Sequence, residues 1–357
     1  LPFLSAAGEL KTKPTQHSVK KLMESGVNAD IIVCRTERAI GEDLRSKIAL
    51  FCNVDINSVI ESIDAKTIYE VPLLMQQEKL DEVVLSKLNL SNTKSDLKDW
   101  KNFVKKLKNP KKNIKIGLIG KYVELQDSYK SILESFVHAG AINEVKIDVV
   151  PIHSESIEST NVVVELSKLD GILVAPGFGE RGIEGKISSI KYARENNLPF
   201  LGICLGMQMA VIEFARNVLS LSSANSTEMD DSTKHPVISL MDDQLKVQDK
   251  GGTMRLGSWK CKIVKESLAY KIYNEETISE RHRHRYELNF DYMDKLANSG
   301  MVFSGLNPKT GLVEIIEIPN HDWFLGVQFH PEYQSTVEKP HPIFVSFVKA
   351  CKNKSKK

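Results

Sequence analysis

The sequence predicts an α/β protein built mainly on a parallel sheet, and three observations carry that reading. Between residues 114 and 216, short apolar strands alternate with helical segments, the pattern of βαβ units. The 357 residues are 41% hydrophobic and 26% charged, near the globular average and enough for two domains with real cores. A change of texture at 91–115, rich in Ser, Asn, Asp and Lys and containing Pro110, divides the chain.

Residues 1–90 read as a polar loop, a helix near 18–25, a strand at 30–34 and a helix near 42–51. Within 91–115, Leu97, Trp100, Phe103, Val104 and Leu107 share one helical face, at i, i+3, i+6, i+7 and i+10. Lys98, Lys101, Lys105, Lys106, Lys108, Lys111 and Lys112 fill the other face. The segment therefore reads as a solvated linker helix rather than a nucleic-acid or membrane patch. Strands follow at 114–120, 145–151, 171–175 and 199–204, with helices at 128–140, 162–169, 187–196 and 205–216. Past residue 220 the segments shorten and gain glycine, which suggests an antiparallel addition. Strands return at 312–318 and 324–329, and a last helix lies near 342–352.

Composition excludes several classes. Lys and Arg total 48 against 46 Asp and Glu, a net charge of +2, unlike a dedicated nucleic-acid binder. No run approaches the ~18 apolar residues of a membrane span. The opening Leu1-Pro2-Phe3-Leu4 is too short for a signal peptide and has no basic residues before it. The first residue is not Met, so a natural beginning upstream is expected. Cys34, Cys52, Cys204, Cys261 and Cys351 are odd in number and widely spaced, with no C-x-x-C pair. They suit neither a disulfide framework nor a zinc site, and a reducing cytoplasm is the natural setting.

Leu201-Gly202-Ile203-Cys204-Leu205-Gly206-Met207-Gln208 follows a strand and opens a helix, which gives it the form of a nucleophile elbow with Cys in place of Ser. Flanking glycines let the backbone turn sharply, and the start of a helix favours negative charge. Taken alone, the same segment describes a buried structural cysteine equally well. Gln328-Phe329-His330-Pro331-Glu332 supplies a base and an acid two residues apart, so the order Cys…His…Glu is available for nucleophilic catalysis. Ala175-Pro176-Gly177-Phe178-Gly179 ends another strand, where a flexible backbone could point an N–H at a developing oxyanion together with the Leu205 N–H.

Gly202 to Gln208 together with His330-Pro331-Glu332 resembles a class I glutamine amidotransferase domain. Four further stretches are similar to the CTP synthase family: Asn225-Ser226-Thr227-Glu228, Gly251-Gly252-Thr253-Met254-Arg255-Leu256-Gly257, Glu280-Arg281-His282-Arg283-His284-Arg285-Tyr286-Glu287, and Gly8 to Val19. The resemblance covers essentially the whole chain. It implies residues 1–90 as the C-terminal part of a P-loop-type α/β synthetase (amidoligase) domain, 91–112 as a linker helix and 113–354 as the amidotransferase domain. It implies Cys204 as nucleophile, His330 as base and Glu332 as its orienting acid. Gly177, Leu205, Gly206, Met207 and Gln208 would hold glutamine and its oxyanion, and Glu228 and Arg285 its ammonium and α-carboxylate.

The resemblance also implies that Lys11, Thr12, Lys13, Pro14, Thr15, Gln16 and Lys47 bind UTP or inhibitory CTP, since ammonium groups neutralise phosphates without fixed geometry. Ala65, beside Asp64, aligns with a segment lining ATP. Mg²⁺ with ATP, GTP as activator near the domain junction, and a homotetramer belong to the same expectation. The departure lies in phosphate binding, because no G-x-x-x-x-G-K-[ST] occurs in 357 residues and no metal ligands are assigned. The loop between Glu228 and Gly251 is shorter than the family's, and no GTP contacts are assigned. The expectation is a glutamine-hydrolysing ligase whose residues 1–357 alone hydrolyse glutamine but do not form CTP. A stand-alone Cys–His–Glu amidase and a catalytically silent, nucleotide-gated scaffold are the alternatives.

Overall fold

The computed structural model describes residues 1–93, 95–240 and 254–355. The chain forms two compact units, Leu1–Val104 and Lys105–Lys357.

In the first unit, β1 (Phe3–Leu4) and β2 (Glu9–Leu10) form a short hairpin, followed by α1 (Lys13–Glu24). The helix starts earlier than its apolar spacing suggests, because Pro14 fits a first helical turn, where no N–H is needed. β3 (Ile32–Thr36) and β4 (Val59–Ile63) pair in parallel across α2 (Glu42–Cys52). Val19, Ile32, Cys34, Ile48, Cys52 and Val59 form the small core. After α3 (Val71–Gln77) and α4 (Leu80–Lys87), the linker-like segment forms α5 (Lys98–Lys108), within which the unit boundary falls. Its apolar face is occupied: Phe103 meets the Tyr69 ring edge-on at 5.1 Å, and Trp100 Nε1 donates to the Tyr69 carbonyl at 2.7 Å. Its lysines are exposed, and three of them crowd the last turn, where a helix favours cations.

In the second unit, β5 (Lys112–Gly120), α6 (Lys130–Asn143), β6 (Val145–His153), α7 (Val162–Leu166), β7 (Gly171–Val174), α8 (Ile183–Glu195), β8 (Phe200–Ile203) and α9 (Leu205–Asn217) realise the predicted alternation. β9 (Ala224–Ser226) and β10 (His235–Ser239) join β13 (Glu287–Leu288) in a three-stranded sheet. β11 (Arg255–Ile263), α10 (Leu268–Tyr273), β12 (Thr277–His284), α11 (Met293–Asn298), β14 (Val302–Leu306), β15 (Val313–Glu317), β16 (Phe324–Val327) and α12 (Pro342–Lys354) complete it. The main sheet has nine strands in the order β12-β11-β14-β15-β16-β8-β7-β5-β6. From β16 to β6 it is parallel, and from β16 to β12 antiparallel, as the glycine-rich texture suggested.

Successive strand residues serve opposite faces. Ile172, Val174 and Phe200 enter one core with α8 and α9, while Leu173, Leu201 and Ile203 enter another with α6 and α12. A parallel sheet covered on both sides leaves its strand ends as the accessible polar edge, where α/β proteins place their sites.

Candidate active site

The site forms at the C-terminal ends of β7, β8 and β16, three parallel neighbours. β8 ends at Ile203 and α9 begins at Leu205, so Cys204 alone turns the chain. It does so at φ 51° and ψ −104°, a conformation that L-residues rarely adopt and that costs strain. Its N–H donates to the Val327 carbonyl at 2.7 Å. Both flanking glycines are required by contact. A Cβ on Gly202 would sit 2.7 Å from the Gly206 backbone, and one on Gly206 only 2.2 Å from the Val174 carbonyl oxygen. Cys204 thus immediately precedes the first turn of α9, whose first N–H groups lack intrahelical partners. Burial pushes the thiols of Cys34, Cys52, Cys261 and Cys351 up, which keeps them inert.

His330 and Glu332 follow β16 and are both buried, with Nδ1 to Oε1 at 2.7 Å. The His330 N–H donates to the Arg281 carbonyl at 2.8 Å, and its ring stacks on Tyr333. The 3-10 turn Pro331–Gln334 is tied down by Gln334, which donates to Glu280. Glu280 in turn takes Tyr273 at 2.8 Å and His341 at 2.9 Å. Burial opposes charge on His330, yet its pKa is raised to about 11, because the charges of Cys204 and Glu332 outweigh burial. Nε2 makes no complete hydrogen bond among the described residues, so its link to the sulfur is chiefly electrostatic. In Cys204→Ala that contribution is gone, and His330 should lose its proton at a lower pH than in wild type. Ring chemical shifts followed by NMR titration test this; identical titrations would detach the ring from the sulfur.

The loop after β7 is tethered by charged side chains. Lys186, fully buried on α8, donates to the Ala175 carbonyl at 2.9 Å. Lys121, buried just past β5, donates to the carbonyls of Phe178 and Gly179. Glu228 accepts from the Gly179 N–H at 2.8 Å. The N–H groups of Gly177 and Phe178 have no partner among the described residues. Gly177 adjoins Leu205, whose Cδ2 lies 3.6 Å from where a Cβ would stand. The Lys186 pKa falls to about 7 through burial, then through the charge of Lys121, with the Cys204 charge acting the other way. Sequence reasoning missed both lysines, because a lysine in isolation reads as solvated surface.

Gln208 donates to the Tyr286 carbonyl at 3.0 Å and to Gln328 Oε1 at 3.2 Å, and Gln328 Nε2 lies 3.8 Å from the Cys204 sulfur. Tyr286 gathers two predicted residues. Burial raises its phenol first, the Glu228 charge adds to that, and the Arg285 charge opposes it. Arg285 is half-buried, whereas Arg281 and Arg283 project from the exposed face of β12. Behind this edge Arg255 joins Glu287 at 2.9 Å and Glu314 at 2.8 Å, with His282 and His284 alongside. Only a signal linking distant strands could have found that cluster.

In the first unit, Lys11 pairs with Glu9, and Thr12 is the buried N-cap residue of α1. Lys13 to Gln16 form its first turn. The Glu9 carboxyl is held low first by Lys11 and last by Lys47, which draws the two predicted lysines to one place. Ala65 follows Asp64 just past β4, where Asp64 pairs with Arg35 at 3.2 Å. Among the described residues no group of three His, Cys, Asp or Glu side chains could hold a metal. Residues 241–253, which include Gly251 to Thr253 and the second part of the loop before them, lie outside the described residues.

Residues 124–350 match the family model for glutamine amidotransferase class-I, and residues 1–90 the model for the CTP synthase N-terminus. A CTP synthase of Flavobacterium johnsoniae is 63% identical over all of this chain, which spans 67% of that protein. The chain belongs to the CTP synthase family. A Clostridium acetobutylicum CTP synthase is 54% identical over the whole chain and 67% of its own length. The solved glutaminase domain of a Trypanosoma brucei CTPS with bound acivicin matches at TM-score 0.64 and 39% identity, over 67% of this chain and 94% of that one. The amidase and silent-scaffold alternatives are not favoured by these relatives. As a CTP synthase family chain it is a glutamine-hydrolysing ligase carrying a glutaminase domain, and the family's substrates are glutamine, UTP and ATP. No helix among the described residues is long and apolar enough to cross a membrane.

Proposed function

We propose that residues 113–354 release ammonia from glutamine through Cys204, His330 and Glu332, and that this ammonia aminates UTP in the complete enzyme. The single observation that carries the reading is the buried His330–Glu332 contact coupled to a cysteine at the elbow of β8 and α9. The sulfur attacks the side-chain amide carbon, and the oxygen becomes an oxyanion within reach of the Leu205 N–H and of Gly177. His330, held as imidazolium, gives its proton to the departing ammonia. A water, deprotonated by the same ring, then cleaves the γ-glutamyl thioester and returns the thiol. Glu332 keeps the ring oriented throughout.

Glu228 and Arg285 are proposed for the ammonium and α-carboxylate of glutamine, with Gly206, Met207 and Gln208 lining the pocket. Replacing Arg285 by Lys exchanges a planar fork for a point charge. KM for glutamine should rise about tenfold or more, as expected for 1.5–3 kcal/mol of charge-assisted bonding. An unchanged KM turns the assignment to Arg283 or Arg281. The relative's bound acivicin supplies the direct test of the site. Acivicin should inactivate this chain with one covalent adduct on Cys204, and an adduct elsewhere rejects the assignment.

Residues 1–90 are proposed as the C-terminal part of the synthetase domain and 91–112 as the connecting helix. There Lys11 to Gln16 and Lys47 take UTP or the feedback inhibitor CTP, and Ala65 lines ATP. In the complete enzyme ATP would give its γ-phosphoryl group to the uracil 4-oxygen and ammonia would then displace phosphate, with Mg²⁺ supplying charge neutralisation where it binds. GTP as activator, a homotetramer and a cytoplasmic setting complete the proposal.

A further inference from the structure

Gln328 is fully buried at the end of β16, two residues before His330. Its Nε2 lies 3.8 Å from the Cys204 sulfur, within the range of an N–H···S contact. A chain of obligate roles settles which end of this amide faces the sulfur. The Tyr286 carbonyl oxygen can only accept, so the Gln208 nitrogen 3.0 Å away donates to it. The second N–H of that nitrogen points to Gln328 Oε1 at 3.2 Å. With its oxygen engaged, Gln328 must present its NH₂ to the sulfur. A flipped Gln328 would oppose two donors and set a carbonyl oxygen against the thiolate, losing both contacts. The backbone is fixed too, since the Gln328 N–H donates to the Glu314 carbonyl at 2.9 Å.

We propose that Gln328 is a further catalytic residue of the glutaminase reaction, donating a hydrogen bond to the Cys204 sulfur whenever that sulfur is negative, with Gln208 and the Tyr286 carbonyl locking it as donor. The inference rests on Cys204 being the nucleophile. The sulfur is negative before attack and again when it leaves the thioester, and hydrogen bonds to ionised groups are about twice as strong as neutral ones. Each bonded thiolate is a weaker nucleophile. That loss offsets only about 0.4–0.5 of the gain in thiolate, so the rate still rises wherever the thiol is partly protonated.

The test is alkylation of the full chain by iodoacetamide, in which the sulfur forms a bond to carbon and iodide leaves. The rate is followed from pH 4 to pH 10, and peptide mapping counts only the Cys204 adduct. Gln328→Met keeps the volume and removes the donor, so the midpoint of this profile should rise by about one pH unit, equivalent to ~1.4 kcal/mol. The kcat for glutamine should fall by a similar factor, with KM changed less than about twofold. Gln328→Glu keeps the shape while replacing the donor by an acceptor, should raise the midpoint at least as far, and serves if the methionine variant does not fold. An unchanged midpoint with the adduct on Cys204 overturns this inference alone. A wild-type adduct on another cysteine overturns the nucleophile assignment and this inference with it.

Discussion

Cys204→Ala is expected to lower glutamine hydrolysis by at least about 10⁴-fold, the scale on which removal of a nucleophile acts. The fold should survive, because the change is small and the elbow is shaped by Gly202 and Gly206 rather than by the sulfur. No other thiol can take over. Cys34, Cys52, Cys261 and Cys351 are all buried, and burial raises each of them away from the reactive thiolate. Glutamate release assayed beside far-UV circular dichroism checks both halves. Near-normal hydrolysis by a folded variant would end the Cys204 assignment.

The second large effect falls on stability. Arg255→Met should destabilise the amidotransferase unit by about 3–5 kcal/mol, because it leaves the buried Glu287 and Glu314 carboxyls without their cation. Burial already raises Glu287 to about 8 against the pull of Arg255, and raises Glu314 as well. The sign follows from proton uptake. A carboxyl whose folded pKa lies above its unfolded value binds a proton on folding, so stability falls as pH rises between the two values. Removing Arg255 strengthens that trend, and the variant's deficit should grow from pH 5 to pH 8. Urea unfolding across that range measures it; a constant deficit would mean that the carboxyls do not carry the effect. Some loss of activity should accompany it, since β12 supplies the Arg281 carbonyl that fixes His330.

Between residues 114 and 216, what depended on neighbours along the chain was legible in the sequence. Each βα step there was marked by a short apolar strand and a following helix, and the elbow was marked by two glycines that the observed contacts demand, whereas β4, α3 and α4 of the first unit went unread. The face Leu97, Trp100, Phe103, Val104 and Leu107 correctly announced a helix, though not that Tyr69 meets it, because Tyr69 lies 31 residues from Trp100. Long-range register was invisible. Arg255 and His284 are direct cross-strand partners, and Glu314 arrives from a strand placed two positions further across the sheet. Lys121 and Lys186 were hidden for another reason. A buried lysine is stabilised by the carbonyls it meets, here those of Ala175, Phe178 and Gly179, and no residue type announces a loop carbonyl. Gln328 stood beside the recognised His330 and passed as a strand residue, since its meaning depends on Gln208, 120 positions away.

The central claim is a covalent step at Cys204, and acid quenching tests it most directly. The chain is mixed with glutamine, stopped within the first turnovers and mapped by peptide mass spectrometry. A γ-glutamyl group on Cys204, absent from Cys204→Ala, is the predicted result. Steady hydrolysis with no adduct on Cys204, or with the glutamyl group on another residue, would contradict it.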